Sequence, residues 1–245
     1  MERRDVLAAG VAGLAGLGAG SAYAQEKQEK RESQEGHTAM AGGPPLSTDA
    51  ATLLLVDHQV GLLSLVQDYG PDEFKNNVLA LAGCGKTFKL PTILTTSAET
   101  GPNGVIMPEL KAMYPDAPYI PRPGQINAWD NADFVQAVKK TGRKQLIIAG
   151  VVTDVCVAFP TLSALKEGYQ VFVVADASGT FSKQVADAAL IRMAHAGAVI
   201  TNWFAVACEL QRDWRKNGEG LATLLANHLP GYKNLITGHN ANTGK

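Results

Sequence analysis

Between residues 51 and 201 the chain alternates short, unbroken apolar runs with stretches of helical periodicity, and this alternation narrows the possible folds sharply. Ala51-Thr-Leu-Leu-Leu-Val56 ends abruptly in Asp57, and Thr92-Ile-Leu-Thr-Thr96, Gln145-Leu-Ile-Ile-Ala149, Val171 to Val174 and Val199-Ile200 are similar. Runs without a polar partner at every second residue read as strands buried on both faces. Between them, Phe74, Val78, Leu81 and Phe88 recur at helical spacing. A helix is predicted from near Asn131 to Gly142, and others over 155–167 and 182–196, the last closed by Gly197. Two helices are expected after the last strand. Strands that alternate with helices of about a dozen residues make repeated βαβ units, hence an α/β fold with a parallel sheet covered on both faces.

The 245 residues are 46% apolar and carry a net charge of −1, enough for a substantial core. A near-neutral balance argues against nucleic acid or an anionic membrane as the main partner, since both demand a basic surface. Three cysteines without a CxxC pair do not make a disulfide scaffold. Pairing of Cys84 with Cys208 stays open.

The amino terminus reads as an address. Arg3-Arg4 precede an uncharged run from Val6 to Gly20 and the small-residue end Ala22-Tyr-Ala24. That is the signal-peptide pattern over 1–24, and the arginine pair resembles a twin-arginine signal. Residues 25–45 alternate Glu and Lys before Gly-Gly-Pro-Pro, a composition suited to a flexible linker. The folded domain is expected over 46–245, in a protein that is periplasmic or secreted and free of the membrane once the signal is cleaved.

In an open parallel sheet ligands gather at the carboxyl ends of the strands, near the switch in strand order. The first strand ends in Asp57-His-Gln59. The run from Gln145 ends in Gly150-Val-Val-Thr-Asp154, with Val155-Cys156 entering a helix, and a Pro- and Gly-rich loop between them holds Pro121-Arg-Pro-Gly-Gln-Ile-Asn-Ala-Trp129. A carboxylate, a cation and a thiol thus reach one rim. A thiol in the first turn of a helix feels free N–H groups that favour the thiolate. A neighbouring carboxylate can take the thiol proton and return it to a leaving group. Arg122 can hold Asp57 ionised or stabilise developing negative charge. Asp154, two residues from Cys156, opposes a thiolate unless it points away. Other features are weaker. Gly83-Cys-Gly-Lys-Thr87 lacks the first glycine of a phosphate loop, where Ala80 stands, and lies in a helical pattern. Residues 37, 58, 195, 228 and 239 are histidines without ligand spacing.

Leu-Leu-Leu-Val-Asp57-His-Gln, Arg122-Pro-Gly-Gln-Ile-Asn-Ala-Trp and Ile-Ala-Gly-Val-Val-Thr-Asp-Val-Cys156-Val, in this order, resemble the isochorismatase-like cysteine hydrolases, and most of all their YcaC-type branch. The resemblance runs over roughly 46–240. It implies a three-layer α/β/α fold with a six-stranded parallel sheet, a triad that maps onto Asp57, Arg122 and Cys156, and a cis peptide at Val151–Val152. It also implies an oxyanion hole from the N–H groups of Val152 and Cys156, and a ring-shaped homo-oligomer. Most members carry lysine where this chain has Arg122, and arginine, always protonated, acts electrostatically only. The stretch Ser97 to Gly104 has Glu99 but none of the histidines of the nicotinamidase metal site. No metal and no other cofactor is expected.

These readings combine into a cysteine hydrolase that cleaves a small amide or related C–N bond through a thioester, with Gln59, Asn127 and Trp129 as candidate walls of the substrate pocket. The alternative is a non-catalytic oligomeric binding protein that kept the fold.

Overall fold

A computed structural model describes residues 44–216 and 218–244. The stretch read as a signal peptide, and nearly all of the stretch read as a linker, lie outside the described residues. Six strands make one sheet: β1 (Ala51–Val56), β2 (Thr92–Ser97), β3 (Tyr119–Arg122), β4 (Gln145–Gly150), β5 (Gln170–Val174) and β6 (Val199–Thr201). Their order is β3-β2-β1-β4-β5-β6, and every pair is parallel. The chain runs outward from β1 to β3 and then returns to lay β4 against the other side of β1, so the order switches between β1 and β4.

Alternate residues of each strand feed opposite faces, as the period of two requires. Leu53, Leu55, Ile147, Ala149 and Phe172 enter one core; Leu54, Val56, Ile148, Val171 and Val173 enter the other. The first core is covered by α1 (Pro71–Thr87), α2 (Pro108–Met113), α6 (Trp203–Gln211) and α7 (Gly218–His228). The second is covered by α3 (Ala132–Lys140), α4 (Ala158–Lys166) and α5 (Lys183–His195). The three-layer fold is the one expected. Asn131, Ser182 and Asn202 cap α3, α5 and α6, each accepting a hydrogen bond from a first-turn N–H.

The structure corrects three sequence readings. Tyr119–Arg122 is a strand where the sequence shows only a Pro- and Gly-rich loop. It is four residues long and interrupted by Pro121, which is tolerated because β3 is an edge. The helix read over 155–167 opens with a π turn, Thr153–Val157, before α4 begins. Three helices, not two, follow β6: Arg212, with φ 57°, ends α6, and Pro230 starts α8 (Pro230–Thr243) after α7. Among the described residues no helix is long and apolar enough to cross a membrane.

Candidate active site

Asp57 is the first residue beyond β1, and its backbone is left-handed, with φ 57°. Aspartate tolerates that region better than most residues, so the chain can leave the sheet there. Its N–H still bonds the Thr95 carbonyl at 2.9 Å, which anchors the kink. Across the switch, Gly150 lets β4 press against the same point: a Cβ there would stand 2.3 Å from the Val56 carbonyl oxygen. On β3, Arg122 is buried and places Nη2 across both Asp57 carboxylate oxygens, 2.6 Å from each. Its Nε donates to the Thr96 carbonyl at 3.2 Å, while Nη1 is buried with no hydrogen-bond partner.

Cys156, in the π turn after β4, is half-buried, and its thiol stands beside the Asp57 carboxylate. The Val151–Val152 peptide is cis, as the family resemblance implies. Three segments distant in sequence therefore meet in one line, buried at Arg122 and Asp57 and half-buried at Cys156. Burial pushes the Asp57 carboxyl above the ordinary carboxylate range, and the Arg122 guanidinium and the thiol pull it part of the way back. Burial, followed by the charge and hydrogen bond of Asp57, pushes the Cys156 thiol up; the Val152 N–H and Arg122 oppose this weakly. The expected dipole-stabilised thiolate is thus corrected. A helix terminus is worth about 0.3–1 kcal/mol, too little against burial and an adjacent carboxylate. Both effects favour the thiol over the thiolate at Cys156. Asp154 does not interfere, because its carboxylate accepts the Thr180 hydroxyl at 2.7 Å.

The three pocket-wall candidates are all engaged elsewhere. Gln59 is buried and commits its whole carboxamide to main-chain groups: Oε1 accepts Ser97 N–H at 2.8 Å, and Nε2 donates to the carbonyls of Ser97 and Gly104. Asn127 accepts the Trp129 N–H and donates to Ser163. Trp129 packs edge-on against Phe134 and Tyr169 and donates from Nε1 to Glu167, at the far end of α4. His58 is wholly buried; its ring bonds the Ala177 carbonyl through Nε2, leaves Nδ1 unpartnered, and is pushed down to about 4 by burial. Glu99 takes a hydrogen bond from the Tyr119 hydroxyl. Cys84 and Cys208 are free thiols, and Gly83–Thr87 falls within α1. The sequence reading missed the carbonyl of Thr96 and the main chain of Ser97, which seat Arg122 and Gln59. Backbone acceptors leave no trace in residue type.

This fold and this meeting of strand ends define a three-layer α/β/α protein with its candidate site at the switch in strand order. The Isochorismatase domain model matches residues 51–204, and the chain belongs to that family of isochorismatase-like hydrolases. It is similar to the probable hydrolase YcaC of Escherichia coli K12, 65% identical over 198 residues that cover 81% of this chain and 95% of that one. The solved E. coli YcaC, described as an octameric hydrolase of unknown specificity, matches with a TM-score of 0.80 over 81% of this chain and 98% of that one. YcaC of Pseudomonas aeruginosa, solved with hexane-2,5-diol and covalent acrylamide, is 67% identical, with a TM-score of 0.79 over 80% and 97%.

Proposed function

We propose that this chain is a cysteine hydrolase that cleaves a small amide or related C–N bond through a thioester. The observation that carries the reading is the line from Arg122 through Asp57 to Cys156 at the switch in strand order. Burial makes the Asp57 carboxylate a better proton acceptor than an exposed one, as a general base requires. Cys156 Sγ attacks the carbonyl carbon while its proton passes to Asp57. The N–H groups of Val152 and Cys156 receive the oxyanion, and Arg122 balances the charge without exchanging a proton. Collapse expels the amine, which takes the proton from Asp57 and leaves a thioester. Water then attacks, giving a proton to the same carboxylate, and the thiolate departs and recovers that proton. The covalent acrylamide of the Pseudomonas relative supports the reading, because acrylamide is a conjugate acceptor that alkylates nucleophilic thiols.

The test is release of amine from a panel of small primary amides, followed by intact-mass detection of an acylated protein after acid quench. Turnover by the wild type, with none by Cys156→Ser or Asp57→Asn at unchanged fold, is the expected result. Turnover retained by Cys156→Ser contradicts the nucleophile. The second reading, a binding protein without turnover, draws on the resting protonation of Cys156 and on Arg122 in place of lysine. Amides that raise the melting temperature but are never cleaved would favour it. The octameric E. coli relative supports a homo-oligomer here. The amino-terminal sequence supports twin-arginine export to the periplasm or beyond, which cell fractionation with and without Arg3-Arg4→Lys-Lys tests.

A further inference from the structure

Beyond Val56, β1 and β2 part. Asp57 turns β1 out of the sheet, while β2 continues through Thr96 and Ser97 to pair with β3, Thr96 against Pro121 and Ser97 against Arg122. Side-chain and backbone directions alternate along β2, so the groups of Ser97 that face β1 have lost their strand partner. The Gln59 carboxamide fills that position. It accepts from Ser97 N–H and donates to Ser97 C=O, as a continued strand would, and its second N–H holds Gly104 in the following loop. The backbone around it closes the same junction: Val60 N–H bonds Val105 C=O at 2.9 Å, and Met107 N–H bonds His58 C=O at 2.8 Å.

The end of β2 so fixed is what seats Arg122. Thr96 C=O accepts Arg122 Nε, and Ala98 N–H donates to Arg122 C=O at 2.9 Å. The circuit is closed: Asp57 leads to Gln59 two residues on, Gln59 to Ser97, the β2–β3 register to Arg122, and Arg122 back to Asp57. We propose that Gln59 is a positioning residue, a one-residue substitute for the missing strand that sets where the Arg122 guanidinium meets the Asp57 carboxylate. The proposal rests on the cysteine-hydrolase reading for its consequence, not for its geometry. A glutamine is needed because only a carboxamide offers an acceptor and two donors on a stem of this length; glutamate lacks the donors, and leucine lacks all three.

The groups that face Asp57 are Arg122 from β3 and the Cys156 thiol from the turn after β4; His58, next in the chain, is held on Ala177. Loosening Arg122 therefore lets the Asp57 carboxyl keep its proton to higher pH, and alkylation of Cys156, which hands its proton to Asp57, fails at correspondingly higher pH. The experiment measures the rate of iodoacetamide labelling of Cys156 against pH, by peptide mass spectrometry on the full chain, beside the melting temperature. Gln59→Leu is compared with Thr141→Ala, which removes a half-buried hydroxyl network at the opposite end of β1. We expect Gln59→Leu to displace the acid limb upward by half a pH unit or more, with Thr141→Ala leaving it in place even where it lowers the melting temperature. A folded Gln59→Leu with an unmoved limb overturns the positioning role. Where Gln59→Leu does not fold, the same comparison on Gln59→Asn, which keeps the carboxamide but shortens its reach, decides in the same way. Failure of wild-type Cys156 to label at any pH strikes the hydrolase reading instead, so the two failures are distinguishable.

Discussion

The amino and carboxyl ends of the sheet each engage a glutamine, an arginine and a threonine, yet they leave them in different states. At the amino end, Gln145 opens β4 and uses its whole carboxamide: it accepts Ser47 N–H and donates to the carbonyls of Pro44 and Pro45 and to Gln170. Arg143 caps the carbonyls of Thr48 and Ala51, and Thr52 bonds Thr141. At the carboxyl end, Gln59 is equally satisfied, but Arg122 Nη1, His58 Nδ1 and Thr153 Oγ1 are buried without partners. Buried polar atoms are nearly always bonded, so burial alone says little, whereas spare hydrogen-bonding capacity beside a charged pair suits the proposed chemistry. One end is fastening. The other is fastening around a site.

Five substitutions, in four comparisons, test that contrast. The largest effect is on chemistry: Cys156→Ser and Asp57→Asn should each cut amide turnover by on the order of 10⁴-fold or more, with thermal unfolding near that of the wild type for Cys156→Ser and lowered for Asp57→Asn, which leaves Arg122 buried without its partner. Next is Arg122→Met, which strands the Asp57 carboxylate in the interior; denaturant unfolding should show a loss of about 3–5 kcal/mol, together with suppressed Cys156 labelling. A loss no larger than that of a surface pair would mean the ion pair is not closed as described.

The third concerns pH. His58 is held neutral, pushed down to about 4 from its ordinary 6.5, so the unfolded chain gains a proton there first. Stability from this group is present above 6.5 and is lost as pH falls toward 4, by about 3 kcal/mol in all. Asp176, pushed up to about 6 by burial, acts in the opposite sense, since the folded state then holds the extra proton. The comparison is therefore between wild type and His58→Asn: the wild-type curve of unfolding free energy should fall more steeply between pH 6.5 and 4. Parallel curves would contradict a buried neutral ring. The smallest effect belongs to the amino end. Gln145→Leu orphans Ser47 N–H and the carbonyls it served, and should cost about 1–3 kcal/mol without changing the labelling of Cys156.

Much of this architecture is legible in the sequence because burial on both faces imposes its own composition. Strands β1, β2, β4 and β5 announce themselves as apolar runs, and their ends locate Asp57 and Cys156 through a rule of topology rather than any local pattern. Strand β3 escapes notice because an edge strand of four residues with a central proline resembles a loop, although it carries Arg122. The hydrogen-bond partners of Gln59, Asn127 and Trp129 were not legible in the sequence. Each lies near the rim in sequence, but side-chain hydrogen bonds to backbone groups and to Glu167 set their directions, and those partners are chosen only by the fold. The state of the thiol was misread for a related reason: a helix dipole can be inferred from position, whereas the competing charge of Asp57 arrives from 99 residues away in the chain.

The account stands most directly on the coupling between Asp57 and Cys156, and acrylamide measures it without knowledge of the substrate. Wild type and Asp57→Asn are incubated with acrylamide near neutral pH, and adducts at Cys84, Cys156 and Cys208 are followed over time by peptide mass spectrometry. The account predicts that Cys156 is modified first in the wild type, despite a thiol pushed up by burial, and that Asp57→Asn slows Cys156 alone. Modification led by Cys84 or Cys208, or a Cys156 rate indifferent to Asp57→Asn, would contradict it.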